Sequence, residues 1–104
     1  MILTVFRSRL KPTAQAEYGE WAARMSTLAR TMPGYISHKG FVADDGERVT
    51  IVEFESEEAQ MHWSRNADHT EAKKKGRADF YTEYKIQTCT VQREMTFPRE
   101  PLPH

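Results

Sequence analysis

The chain has one cysteine, Cys89, so no disulfide can form within it, and a reducing, cytoplasmic setting is the expectation. Neither a Cys pair nor a His-x-x-x-His pair occurs, which leaves no ligand pattern for a metal. An excess of charge is also missing. Fifteen Lys and Arg balance fifteen Asp and Glu, so neither nucleic acid nor an anionic membrane surface is expected as a partner. Long apolar runs are absent and mean hydropathy is -0.74, which argues against a membrane-spanning helix. The apolar start, Met1 to Phe6, stops at Arg7 and is too short for a signal peptide. The five glycines form no phosphate-binding loop, and no Ser-His-Asp pattern or nucleotide motif is found. Aliphatic bulk is scarce too: only 18 of 104 residues are Leu, Ile, Val or Phe. That predicts one small domain with a thin core, in which a second copy of the chain would supply burial.

What the chain does have is a readable change of period. Residues 2–10 are β-branched and apolar and predict a strand. After Lys11-Pro12, Thr13 is a candidate N-cap. Ala14, Tyr18, Trp21, Ala22, Met25, Leu28, Ala29 and Met32 then form a helical stripe that Pro33-Gly34 ends. Residues 35–43 and 48–55 read as strands joined at Asp44-Asp45-Gly46-Glu47, with Gly40 suggesting a bulge or a close backbone approach. Ser56 caps a second helix. That helix breaks at 66–68, restarts with Asp68 and Glu71 as a capping box, and runs over 69–83. Residues 84–95 predict a last strand. The domain is therefore set at 1–97, with a Pro-rich tail at 98–104.

The order β-α-β-β-α-β, with right-handed crossovers, predicts an α+β, ferredoxin-like fold: a four-stranded antiparallel sheet with both helices on one face. Yet the strands are apolar on both parities, as with Val49 and Ile51 against Val52 and Phe54. The uncovered face predicts a homodimer packed sheet to sheet.

The polar residues leave several readings open. His69, Lys73 and Arg77 share a helical stripe, which is either a solvated face or a site with His69 as base and Arg77 steadying an oxyanion. Trp21 and Trp63 are core packing or pocket walls. Glu53, inside an apolar strand, is a proton acceptor or a cross-strand partner of Arg7 or Arg9. His38 reads as structural or exposed, and Cys89 as buried and inert.

Three segments carry a family resemblance. They are Pro33-Gly34-Tyr35, Val52-Glu53-Phe54-Glu55-Ser56, and Trp63-x5-His69-x2-Ala72 followed by Gly76-Arg77-x2-Phe80-Tyr81-x2-Tyr84. Over residues 2–94 the chain resembles the antibiotic biosynthesis monooxygenase superfamily, whose protomers pair into a dimeric α+β barrel. Cofactor-free, quinone-forming members place an Asn and a Trp four residues apart on the third strand, and those places fall on Thr50 and Phe54. Haem-degrading members use a first-strand Asn, a Trp and an axial His. Those places fall on Ser8, Trp63 and Lys73, and a protonated Lys has no lone pair for iron. The resemblance implies a cofactor-independent monooxygenase acting on an aromatic, phenolic or quinol-type small molecule. Its base would be His69 and its anion stabilisers Arg77 and Tyr81, with a pocket lined by Trp21, Met25, Phe54 and Trp63. The alternative is a dimer of the same fold that binds a small ligand without catalysis.

Overall fold

The computed structural model describes residues 1–98, and for Ala67 and Asp68 the backbone alone. The described elements are β1 (Ile2–Leu10), α1 (Gln15–Arg30), β2 (Tyr35–Val42), β3 (Arg48–Phe54), α2 (Glu57–Arg65), α3 (Ala67–Lys75), a π-helical turn (Gly76–Phe80) and β4 (Tyr81–Thr90). The sheet is antiparallel throughout, in the order β2-β3-β1-β4. Each helical segment thus bridges two parallel strands separated by one antiparallel neighbour, which is the ferredoxin-like arrangement expected from the element order.

Ala29 of α1, Phe54 of β3, and Ala59 and Trp63 of α2 form one buried cluster. Met25, Leu28, Met32, Tyr35 and Val52 pack around it, so α1 and α2 cover the same face of the sheet. Alternation along the ladders puts Ile2, Thr4, Phe6 and Ser8 on that face and Leu3, Val5, Arg7 and Arg9 on the other. On the far face the apolar Leu3, Val5, Val49, Ile51 and Phe41 lie among ion pairs. Arg7 pairs with Glu47 (2.8 Å), and Arg9 with Asp45 (2.7 Å) and Glu83 (3.1 Å). Glu53, half-buried opposite Leu3, is not the partner of either arginine: the tip of the β2–β3 hairpin and the start of β4 supply the acids instead.

Several local expectations are corrected. Ala14, not Thr13, occupies the N-cap of α1 and makes no side-chain cap; it is itself buried and is held by its N–H to the Lys11 carbonyl at 3.0 Å. Ser56 does cap α2, its Oγ accepting from Ala59 N. The chain breaks at Asn66, but α3 starts at once, with Asn66 Oδ1 accepting from His69 N at 3.3 Å. The helix ends at Phe80 rather than 83, because the π turn hands the chain to β4 with Tyr81 facing Leu10. β4 in turn stops at Thr90, where β1 runs out of residues to pair with; Val91 N donates to the Met1 carbonyl as the last rung. Gly40 pairs regularly with Thr50, and the irregularity in β2 lies between Tyr35 and Ser37. Cys89 is exposed, since β4 is an edge strand with Thr82 to Thr90 open to solvent. The Pro-rich tail beyond Pro98 lies outside the described residues. No described helix is long and apolar enough to cross a membrane.

Candidate functional site

The predicted site residues other than Trp21 fall into two groups built around aromatic rings. The first is built where α2 passes into α3. Trp63 is 8% exposed and belongs to the core cluster. The break at Asn66 turns the chain so that the His69 ring stacks on the Trp63 indole, with centroids 3.9 Å apart and planes 16° from parallel. His69 Nδ1 lies 2.9 Å from the Trp63 carbonyl. A carbonyl only accepts, so Nδ1 carries the proton and Nε2 keeps its lone pair. Burial lowers the His69 pKa below its ordinary 6.5, the nearby Lys73 charge adds to this, and the bond to the Trp63 carbonyl opposes it. Lys73 itself is tied back to the Ser64 carbonyl at 2.7 Å. His69 is thus a neutral imidazole of fixed tautomer, with its lone pair on Nε2.

Beside this pair, Phe54 is fully buried and supports Trp63 and Tyr35 from below. Met25 packs against the same cluster and also borders a shallow depression of about 470 Å³ along α1, with Ala23, Arg24, Thr27, Leu28 and Thr31. Trp21 stands apart from the cluster, under the Arg24 guanidinium at 4.5 Å.

The second group lies where the π turn meets β4. Tyr81 touches Phe6 (5.4 Å), Tyr18 (5.8 Å) and Tyr84 (5.7 Å) edge-on. Arg48 sits over Tyr18 at 5.3 Å, and Arg77 Nη1 lies 3.5 Å from the Tyr84 hydroxyl. Burial, reinforced by the neighbouring Tyr18, drives the Tyr81 pKa well above the ordinary tyrosine value, so Tyr81 stays a protonated hydrogen-bond donor. Gly76 makes room for it: a Cβ there would stand 2.6 Å from Tyr81 Cε2. Arg77 and Tyr81 each touch Tyr84, and the Trp63 and His69 rings stack on one another. The contacts that define each pair do not link the two pairs.

Sequence reasoning missed three features. One is Tyr18, which joins α1 to the second group. Another is Thr4, whose buried hydroxyl has no partner among the described residues. The third is a chain of hydrogen bonds from Ser26 to His38 to Tyr35. On a regular strand Tyr35 and His38 would face opposite sides, and only the irregularity at Ile36 brings them together. Among the described residues, no group of three or more His, Cys, Asp or Glu is placed to hold a metal ion.

Residues 1–75 match the family described as antibiotic biosynthesis monooxygenase. The chain belongs to that family. The Bacillus subtilis (strain 168) protein YqjZ is 33% identical over 93 residues, covering 89% of this chain and 82% of its own. Among solved structures, Rv0793 from Mycobacterium tuberculosis superposes with a TM-score of 0.81 at 16% identity, over 91% of this chain and 98% of that one. SnoaB, a cofactor-independent oxygenase from Streptomyces nogalater, superposes with a TM-score of 0.77 at 20% identity, over 93% and 96% of the two chains. At these identities the structural likeness speaks for the fold of this antibiotic biosynthesis monooxygenase family member, while its chemistry has to be argued from its own side chains.

Proposed function

We propose that this family member is a cofactor-independent monooxygenase that oxidises an aromatic, phenolic or quinol-type small molecule and works as a homodimer. The observation that carries the reading is the Trp63–His69 pair: an unprotonated Nε2, fixed by the Nδ1 bond to a carbonyl, beside a flat indole. His69 Nε2 removes the acidic proton of the substrate. The resulting carbanion or phenolate gives electrons directly to molecular oxygen. One oxygen atom then ends on the substrate carbon and the other leaves as water. Tyr81, held protonated, and Arg77 beside Tyr84 are the hydrogen-bond donors assigned to the developing anion. Membership of the family and the likeness to SnoaB support the reaction class.

One observation favours the rival, a dimer that binds a small ligand without catalysis. The third-strand places that bear Asn and Trp in quinone-forming relatives hold Thr50 and a wholly buried Phe54 here. Oxygen uptake with a panel of hydroquinones and anthrones separates the two. The oxygenase reading expects uptake by the wild type and its loss, by at least about a hundredfold, in His69→Ala. No uptake with any substrate hands the protein to the rival. Uptake that His69→Ala leaves unchanged removes His69 as base. For the dimer, light scattering after size exclusion should give twice 12.1 kDa, and a stable monomer would refute it.

A further inference from the structure

Ser26, His38 and Tyr35 form a constellation that the oxygenase reading does not use. Ser26 lies on α1 toward its C-terminal end, and His38 and Tyr35 lie on β2. Ser26 Oγ is 2.5 Å from His38 Nε2, and the Tyr35 hydroxyl is 2.6 Å from His38 Nδ1. All three side chains are half-buried, so they are ordered and still reachable from solvent. The Tyr35 ring is itself fixed, edge-on to Phe54 at 6.2 Å and to His38 at 5.6 Å. Arg30 lies one helical turn beyond Ser26 on the same side of α1, and its charge is felt at His38.

A hydroxyl on one imidazole nitrogen and an orienting hydrogen-bond partner on the other is the geometry of an activated nucleophile. In one tautomer, His38 Nδ1–H donates to the Tyr35 oxygen and Nε2 accepts from Ser26 Oγ–H, which readies the serine. Burial, with the Arg30 charge adding to it, lowers the His38 pKa, so the imidazole begins neutral, as a base that takes the Ser26 proton must. Arg30, one helical turn on and on the same side of α1 as Ser26, is the cation available to developing negative charge on a substrate oxygen.

We propose that Ser26 is a nucleophile for acyl transfer from small carboxylic esters, with His38 as its base, Tyr35 as the residue that positions the imidazole, and Arg30 as the cation facing the oxyanion. Ser26 Oγ bonds to the ester carbonyl carbon while its proton moves to His38 Nε2. The C–O bond to the leaving alkoxide breaks, and that alkoxide takes the proton from His38. Water then gives a proton to His38 and bonds to the acyl carbon. Ser26 Oγ leaves with the proton returned, so the cycle is redox-neutral and consumes one water per ester. The proposal is independent of the oxygenase reading and needs no aromatic substrate.

The test uses the full chain with p-nitrophenyl acetate under pre-steady-state conditions, followed by peptide mass spectrometry for an acetyl group. The expected result is a nitrophenolate burst and acetylation of Ser26. Ser26→Ala, a helix-compatible change, should abolish both. His38→Asn should slow acylation by about a hundredfold or more, the scale of a lost general base. Tyr35→Phe should lower the acylation rate constant while leaving the saturation constant for the ester unchanged, whereas a purely structural role would move the thermal midpoint instead. A folded wild type with no acetyl group on Ser26, or Ser26 acetylation that persists at the wild-type rate in His38→Asn, overturns the proposal. The three residues are then a tie between α1 and β2.

Discussion

Gly34→Ala tests how the turn after α1 docks on α2. Gly34 has φ of +82°, and a Cβ built there would lie 2.5 Å from the Cβ of Ala59. Neither backbone is free to yield. The Gly34 carbonyl accepts from Glu55 N at 2.8 Å, and Ala59 N donates to the Ser56 cap at 3.1 Å. Holding an L-residue in the left-handed region costs about 1–2 kcal/mol. Overpacking a filled contact adds about 1–3 kcal/mol. The expected loss is therefore about 2–5 kcal/mol, a large part of the roughly 5–15 kcal/mol that holds a domain together. Urea unfolding at one fixed protein concentration measures it, since assembly would otherwise shift the midpoint. The second arm is Ala59→Gly, which removes the methyl group that would be struck and by itself costs about 1 kcal/mol as a helix glycine. In the double variant the clash is gone while the backbone penalty stays. It should thus be more stable than the sum of the single losses predicts by about 1–3 kcal/mol. Additivity within about 0.5 kcal/mol would refute the reasoning, and so would a Gly34→Ala variant as stable as the parent.

The same clash argument gives a sign at Gly76 that helix propensity alone gets wrong. Gly76→Ala gains about 1 kcal/mol of propensity, but the new Cβ would stand 2.6 Å from a Tyr81 ring already hemmed in by Phe6, Tyr18 and Phe80, so a net loss of up to about 2 kcal/mol is expected. A variant that melts higher than the parent would contradict this. Stability should also depend on pH through His69 and His38, whose pKa values burial lowers beneath the 6.5 of the unfolded chain. As pH falls below 6.5 the unfolded chain binds these protons first, so stability is full above 6.5 and drops as pH falls toward the folded values. His69→Gln should flatten part of that slope in urea titrations between neutral and mildly acid pH; an unaltered slope would count against it.

Which parts of this architecture could be read from the chain follows from how local their causes are. The stripe from Ala14 to Met32, the Ser56 cap and the Asp-Gly turn each depend on residues within a few positions of one another, and each lies where the pattern put it. The errors share a different origin. The end of β4 depends on where β1 stops, some ninety residues away. The exposure of Cys89 depends on β4 lying at an edge. The pairing of Tyr35 with His38 depends on a single extra residue in the β2 ladder, and no alternation rule signals such an insertion. Trp63 and His69 were legible as candidates. Their stacking was not, because it requires the turn at Asn66. His69, Lys73 and Arg77 were read as one helical stripe, but the helix gives way to the π turn at Gly76, and Arg77 reaches Tyr84 on β4 instead.

The central place of β1 also bears on how the molecule is made. It precedes the other strands in the chain, yet it pairs with β3 and β4 and not with β2, the next strand made. The rung joining Ile2 to Thr90 closes a loop of nearly the whole described chain, and such long-range pairing slows folding. During synthesis the apolar Ile2-Leu3-Thr4-Val5-Phe6 segment waits for β3, about fifty residues on, for its first partner and for β4 for its second. Until then its apolar side chains and unpaired backbone groups are the kind of exposed strand that favours aggregation.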